Sequence, residues 1–177
     1  MIFDTVENAI SKLASKEDAQ AIANWIADSE KRFAELWSCI SSGEPPIPRR
    51  AAWVLDKLTD IHPTTILPYY NAFFECAQDL SYHNGVRRCV LKSMGKTKIP
   101  EELEGEIYDF AIKQLLNPQI EVAIQVHCMM LAFHIAKSIP ELAEELCLVI
   151  EDQMEYNSAG FKSRGKKILK ELRKLQR

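Results

Sequence analysis

The sequence predicts an all-α protein made of successive antiparallel helix hairpins. Apolar residues recur at helical spacing along most of the chain, as Phe33, Trp37 and Ile40 illustrate. Short breaks that contain proline, asparagine or glycine separate these runs. No segment alternates apolar and polar residues as a strand does. We expect a single domain over residues 1–177, since a chain of this length can enclose one core.

Six helices are predicted in the first half of the chain. Ser15 caps the second of them, because Glu17 and Asp18 carry the negative charge that suits a helix N-terminus. Ser29 opens the third helix, and the three prolines of residues 44–48 form a stiff loop after it. The six helices are expected over 3–14, from 15 onward, over 29–42 and 48–61, over 63–80 with a kink at Pro68, and over 86–96 after a break at Asn84-Gly85.

Four more helices are predicted over 100–116, 118–137, 140–154 and 161–176. Residues 100–136 show the hairpin most clearly, because Asn117-Pro118 interrupts two apolar runs. The helix over 118–137 is apolar on nearly all sides, so we expect it at the centre of the core. Its large apolar residues are then packing residues and not the lining of a cofactor pocket: Met129, Met130 and Phe133.

Three positions stay apolar when the first helices of the hairpins are aligned. With Glu30, Pro63, Pro100 and Pro140 as origins, the spacings are 33, 37 and 40 residues. No single hairpin can bury its apolar stripe, so we expect neighbouring hairpins to stack. The aligned residues lie three, seven and ten positions after each origin: Phe33, Trp37, Ile40; Ile66, Tyr70, Phe73; Leu103, Ile107, Phe110; Ala143, Cys147, Ile150.

Two junctions between helices carry a shared pattern. Residues 115–118 read Leu-Leu-Asn-Pro and precede Val122-Ala123, and residues 84–88 read Asn-Gly-Val-Arg-Arg. These junctions resemble those of HEAT-type helical repeats, in which Leu-Leu-x-Asp-Pro ends the first helix and Val-Arg begins the second. The resemblance covers nearly the whole chain. It implies an α-α superhelix, a HEAT-like solenoid of about five hairpins, whose second helices line the concave face.

The charge is unevenly distributed. The chain has a net charge of −3, but residues 158–177 hold eight Lys or Arg and one Glu, so an acidic body carries a basic C-terminal helix. Five cysteines without a CxxC motif suit small core residues in a reducing compartment. The N-terminus has no basic signal-peptide region, and the longest apolar run is too short to cross a bilayer. We therefore expect a cytoplasmic protein without a membrane partner.

No residue pattern indicates a metal site or a cofactor. His127 and His134 are seven positions apart on one predicted helix, which puts them about 10 Å apart along its axis, too far for one ion. His62 and His83 stand at predicted helix ends. The glutamates of 101–106 lie in the first turns of one helix, where they offset the helix dipole. We expect no metal, no cofactor and no catalytic residue.

The second helices carry the candidate binding residues. Helical spacing places Arg49, Trp53 and Asp56 on one face of one helix, while Arg88, Lys92 and Lys96 share a face of the next. Lys162, Lys166 and Lys170 repeat this spacing on the last helix. Stacked hairpins would join these faces in a binding groove. The alternative is that they are solvated helix faces, and that the last helix is a terminal cap and not a phosphate contact.

Two functions are compatible with this pattern. The first is a non-enzymatic scaffold whose concave face holds a protein partner, which the basic residues predict to be acidic. The second follows from a resemblance to HEAT-like alkylpurine DNA glycosylases, which use an aspartate, tryptophans and an arginine on the concave face. That resemblance implies catalytic roles for Asp56, Trp53 and Arg88, with the lysines of the last helix on the phosphates of a nucleic acid.

Overall fold

The computed structural model describes residues 3–42 and 44–175, with only the backbone described at residue 42. Throughout these residues the regular structure consists of α- and 3₁₀-helices, without any strand. The chain divides into two compact units, Met1–Thr97 and Lys98–Arg177. The prediction of an all-α fold is confirmed.

Six α-helices lie in the described part of the first unit. A 3₁₀-helix over Pro63–Tyr69 leads directly into the fifth of them, so the predicted kink at Pro68 is a change of helix type. The α-helices are α1 (Val6–Ser11), α2 (Lys16–Ala27), α3 (Glu30–Ser42), α4 (Ile47–Ile61), α5 (Tyr70–Gln78) and α6 (Asn84–Met94).

Four α-helices lie in the described part of the second unit. Single 3₁₀ turns over Glu101–Leu103 and Pro140–Leu142 precede the first helix of each hairpin. The α-helices are α7 (Glu104–Leu116), α8 (Val122–Ser138), α9 (Ala143–Met154) and α10 (Ala159–Leu175).

These ten helices of the described chain form five hairpins, as predicted. The hairpins are α1–α2, α3–α4 and α5–α6 in the first unit, and α7–α8 and α9–α10 in the second. Within each unit, the second helices pack side by side: α2 on α4, α4 on α6, and α8 on α10. Stacking of second helices buries the stripes that a single hairpin leaves open.

The aligned apolar positions form the core. Nine of the twelve residues are buried, and Trp37, Leu103 and Phe110 are half-buried. Helix α8 has no exposed side chain from residue 122 to 136, and it packs on α7, α9 and α10. Met129 is fully buried there, whereas Met130 is half-buried. The core of the second unit is therefore built around α8.

Several predicted helix boundaries are wrong. Helix α1 covers six residues and not twelve, because Thr5 caps its start and Asp18 accepts bonds from the backbone N–H groups of Ala14 and Ser15. The bond from Ser15 belongs to the capping box of α2, which Ser15 begins as predicted. Residues 118–121 form a turn before α8, since the side chain of Asn117 accepts a bond from the N–H of Gln119.

The third boundary is that of α6, which begins at Asn84 and includes Gly85. The break predicted at Asn84-Gly85 lies instead over residues 79–83. His83 Nδ1 accepts a hydrogen bond of 2.9 Å from the N–H of Gly85, so His83 is the cap of α6. The last helix likewise starts two residues earlier than predicted.

Three second helices carry a hydrogen-bond donor three residues after their first residue. In α6 this is Arg87, whose Nε donates to the carbonyl of Ala77 at 3.0 Å. In α8 it is Gln125, whose Nε2 donates to the carbonyl of Leu115 at 3.3 Å. In α4 the donor is Arg50, which binds the carbonyl of Ser11. Each donor satisfies a carbonyl at the C-terminus of an earlier helix, where no intrahelical partner exists.

This position corrects one part of the sequence comparison. Counted from the helix starts, Ile124-Gln125 occupies the place of Val86-Arg87, and both pairs are buried. The predicted helix, which begins at Pro118, matches Val122-Ala123 with Val86-Arg87, and this match is two residues too early. The error followed from starting the helix at Pro118.

Candidate functional site

Helices α4 and α6 lie side by side with the same direction, and their facing residues are related by a constant offset. Asp56 pairs with Lys92, and Asp60 with Lys96. In both pairs the residues are 36 positions apart. The same offset relates Arg49 to Gly85, and Arg49 Nε lies 3.9 Å from where a Cβ on Gly85 would stand. The seam between two neighbouring hairpins thus brings together most of the binding residues predicted in the first unit.

The middle of this seam is an ion-pair network centred on Asp56. Its side chain is largely buried, and Lys92 Nζ and Lys96 Nζ each lie 2.7 Å from its Oδ1. Lys96 also binds Asp60 at 2.8 Å, the carbonyl of Asp56 at 2.8 Å and the hydroxyl of Thr59 at 3.0 Å. Lys96 therefore joins one turn of α4 to the end of α6 through four contacts.

Burial alone would raise the pKa of the Asp56 carboxyl, because it disfavours the charged form. Hydrogen bonds from Lys92 and Lys96, and the positive charge of both, outweigh burial and lower the pKa below its usual value. Burial also acts to raise the pKa of Asp60, but the hydrogen bond and the positive charge of Lys96 outweigh burial and lower it. Asp56 is therefore an ionised carboxylate engaged by two ammonium groups.

The network separates the predicted binding residues into two groups. Lys92 and Lys96 are half-buried, and their charge is offset by Asp56 and Asp60. Arg49 and Arg88 are exposed and form no ion pair within residues 3–42 and 44–175. The basic character of the α4–α6 face is thus concentrated at the N-terminal ends of the two helices.

Trp53 lies on α4 between these two groups and is half-buried. The alternative catalytic assignment requires the Asp56 carboxylate to act on a substrate beside Trp53 and Arg88. In the structure, Lys92 and Lys96 occupy the oxygens of this carboxylate. The geometry therefore does not favour that assignment.

An open groove adjoins the N-terminal ends of α4 and α6, and sequence reasoning missed it. It has a volume of about 470 Å³. We call it the proline groove, and its lining includes Pro45, Pro46, Pro48, Arg49, Ser81, Tyr82 and His83. The proline-rich loop at 44–48 was recognised in the sequence, but only as a stiff connection. This loop lies beside Tyr82 and His83 only because two hairpins stack on each other.

The remaining predicted binding residues lie in the second unit, on α10. Lys166 and Lys170 are exposed and Lys162 is half-buried. The opposite face of α10 packs on α8 and α9, and Phe161 and Leu172 are fully buried there. At its C-terminal end, Arg173, Lys174 and their partners Glu151 and Glu171 form surface ion pairs.

Within residues 3–42 and 44–175, no three His, Cys, Asp or Glu side chains are arranged to hold a metal ion. The same part of the chain contains no helix that is both long and apolar enough to span a membrane. The five cysteines form no disulfide among the described residues, and four of them are buried.

The comparison with protein families agrees with this architecture. The model of the HEAT repeat domain matches residues 6–172, which is nearly the entire chain. Neither the curated proteins nor the solved structures include a significant match to the chain. With its stacked hairpins and this match, the chain belongs to the HEAT repeat family.

Proposed function

We propose that this HEAT repeat protein is a non-enzymatic scaffold that binds an acidic protein partner. The observation that carries the proposal is the pair of exposed arginines, Arg49 and Arg88, on neighbouring second helices. Their positive charge is not offset by an ion pair in the described part of the chain. Helical-repeat surfaces offer a long row of such positions to one partner.

The Asp56 network supports this proposal indirectly. It fixes α4 against α6, so the two arginines are presented by rigid helices and not by loops. Preorganised surfaces lose less conformational freedom when they bind. We further propose a cytoplasmic location, which is supported by five cysteines that form no disulfide among the described residues.

The test compares Arg88→Glu with a matched control, Lys31→Glu. Both residues are exposed on helices of the first unit, and both changes replace one positive charge by one negative charge. Proteins captured by the tagged full chain are identified by mass spectrometry, purified and titrated against each variant. We expect Arg88→Glu to weaken binding by at least about tenfold and Lys31→Glu to leave it unchanged.

Equal binding by the two variants would overturn the proposed surface. Duplex DNA is titrated at two salt concentrations in the same series, because phosphate contacts weaken steeply with salt. Salt-dependent DNA binding that Arg88→Glu abolishes would replace the protein partner by a nucleic acid.

A further inference from the structure

The proline groove has apolar walls and a closed floor. Ile40 and Val86 form part of its lining and are almost completely buried. Pro45 and Pro46 stand on its outer wall and are exposed to solvent. Proline rings have no side-chain rotamers to lose, so an apolar group can contact them at little entropic cost. The groove therefore suits a ligand that has an apolar part.

Two polar side chains at the rim of the groove, those of Arg49 and His83, offer hydrogen-bond donors. Arg49 lines it and is free of ion pairs within the described residues. His83 Nδ1 accepts the bond from Gly85, so the proton of the neutral ring resides on Nε2, which is then a donor. Tyr82 already donates its hydroxyl to the carbonyl of Ser41 at 3.3 Å. A guanidinium and an imidazole N–H at one rim favour an anionic acceptor.

A carboxylate fits this rim better than a row of phosphates does. A phosphate backbone needs several free cations in sequence, but Lys92 and Lys96 farther along the seam are neutralised by Asp56 and Asp60. Arg49 is one cation beside the groove. Arg88 is a second cation, and it lies about one turn after Gly85 on α6. The volume of about 470 Å³ falls within the usual range for ligand sites, roughly 300–1,000 Å³.

We infer that the proline groove binds an extended acidic peptide segment, with an apolar residue between the prolines and Tyr82 and a neighbouring Asp or Glu carboxylate on Arg49. A second acidic residue of the peptide reaches Arg88. This inference rests on the proposed scaffold function, because it names the part of the partner that the scaffold recognises.

The test selects peptides from a random display library against the full chain and measures the selected, fluorescein-labelled peptides by polarisation. Two variants alter the groove in different ways. Arg49→Glu reverses the charge at its rim, and a glutamate is well tolerated in the first turn of α4. Ser81→Trp fills the groove without changing its charge, since Ser81 is an exposed lining residue. The controls are Lys31→Glu for charge and Ser81→Ala for the lost hydroxyl.

We expect selected peptides to combine an acidic residue with an adjacent apolar residue. Their dissociation constants rise at least about tenfold in Arg49→Glu and in Ser81→Trp, and stay within about twofold in both controls. A peptide whose acidic residue is replaced by lysine should bind the Arg49→Glu variant, and it should no longer bind the unaltered chain. Circular dichroism of each variant checks that the helices are intact.

The inference would be overturned if no selected peptide bound the unaltered chain more tightly than it bound Ser81→Trp. It would also be overturned if the selected peptides lacked an acidic residue, or if both groove variants kept the binding. A purified protein partner that Arg88→Glu loses but both groove variants keep would also overturn it. That last result would leave the scaffold function standing, so the two proposals fail separately.

Discussion

Lys96 Nζ lies 2.7 Å from Asp56 Oδ1, although the two residues are 40 positions apart in the chain. The contact joins α4, the second helix of one hairpin, to the turn that ends α6, the second helix of the next. It shows how neighbouring hairpins complete one another, here through charge as well as through apolar packing. It also means that a lysine facing outward on a helical wheel can be a structural residue.

Replacing Asp56 by alanine is expected to destabilise the protein. Among the described residues, the change removes the one carboxylate that binds both lysines, and it leaves Lys96, whose side chain is 18% exposed, with a weaker partner in Asp60. We expect the free energy of unfolding to fall by about 2–3 kcal/mol, as measured by urea denaturation followed by circular dichroism.

Asp60→Ala is the matched control for this prediction. The side chain of Asp60 is 42% exposed, and of the two lysines it forms a salt bridge with Lys96. Its loss is expected to cost less than about 1 kcal/mol. Equal losses for Asp56→Ala and Asp60→Ala would contradict the central role of Asp56.

The Asp56 network is expected to weaken in acid. The folded state lowers the pKa of Asp56, so the network stabilises the protein above the pKa of the unfolded chain, about 3.9, and loses this contribution as the pH falls through the folded value. We expect the stability difference between the unaltered chain and Asp56→Asn to be constant near pH 6 and to shrink below about pH 4. A difference that persists unchanged to pH 2 would contradict the assignment.

Gln125→Leu is expected to destabilise the second unit. Its amide donates to the carbonyls of Gln114, Leu115 and Asn117 at 3.3, 3.3 and 3.0 Å. Leucine removes all three bonds: the carbonyls of Gln114 and Asn117 keep the backbone N–H groups of Asn117 and Ile120, whereas the buried carbonyl of Leu115 loses the donor that Gln125 supplies. The predicted cost is about 1–3 kcal/mol, measured by thermal denaturation. Gln119→Leu makes the same change at an exposed position and should stay within about 0.5 kcal/mol.

The two glycines at 105 and 165 should respond oppositely to alanine. A Cβ on Gly165 would lie 3.0 Å from Ile150 Cγ2, and Ile150 is fully buried between α9 and α10. A Cβ on Gly105 would meet no atom within 4 Å. We expect Gly165→Ala to destabilise by about 1 kcal/mol and Gly105→Ala to stabilise by roughly 0.5–1 kcal/mol, as judged by urea midpoints. Stabilisation by both changes would show that α10 packs less closely than described.

The sequence was sufficient to predict the helices and the residues that form the core. Phe73, Ile107 and Ile150 are fully buried because apolar periodicity reports directly which face of a helix turns inward. The cap at Ser15 was also predictable, because its capping box is contained in four consecutive residues. Local signals of this kind need no knowledge of the neighbouring hairpin.

The candidate site depended on contacts that the sequence does not reveal. Nothing local distinguishes Lys96, which is tied to Asp56, from Arg88, which is exposed, since helical spacing predicts both on one face of a helix over 86–96. In the structure α6 ends at Met94, and Lys96 lies in the turn that follows it. The constant offset of 36 positions between α4 and α6 provides that distinction. A repeat alignment with origins in the second helices could have suggested it, whereas the first helices were the ones aligned.

The basic face of α4 and α6 has a structural part, which includes Lys96, and a free part, which includes Arg88. The most direct test of this division compares the urea midpoints of Lys96→Glu and Arg88→Glu. Both changes reverse one charge, on α6 for Arg88 and in the turn directly after α6 for Lys96. We expect Lys96→Glu to lower the free energy of unfolding by about 3 kcal/mol, because it places a carboxylate against Asp56, and Arg88→Glu to change it by no more than about 0.5 kcal/mol. Equal effects of the two changes, or a larger loss in Arg88→Glu, would contradict the division of the basic face into a structural part and a free part.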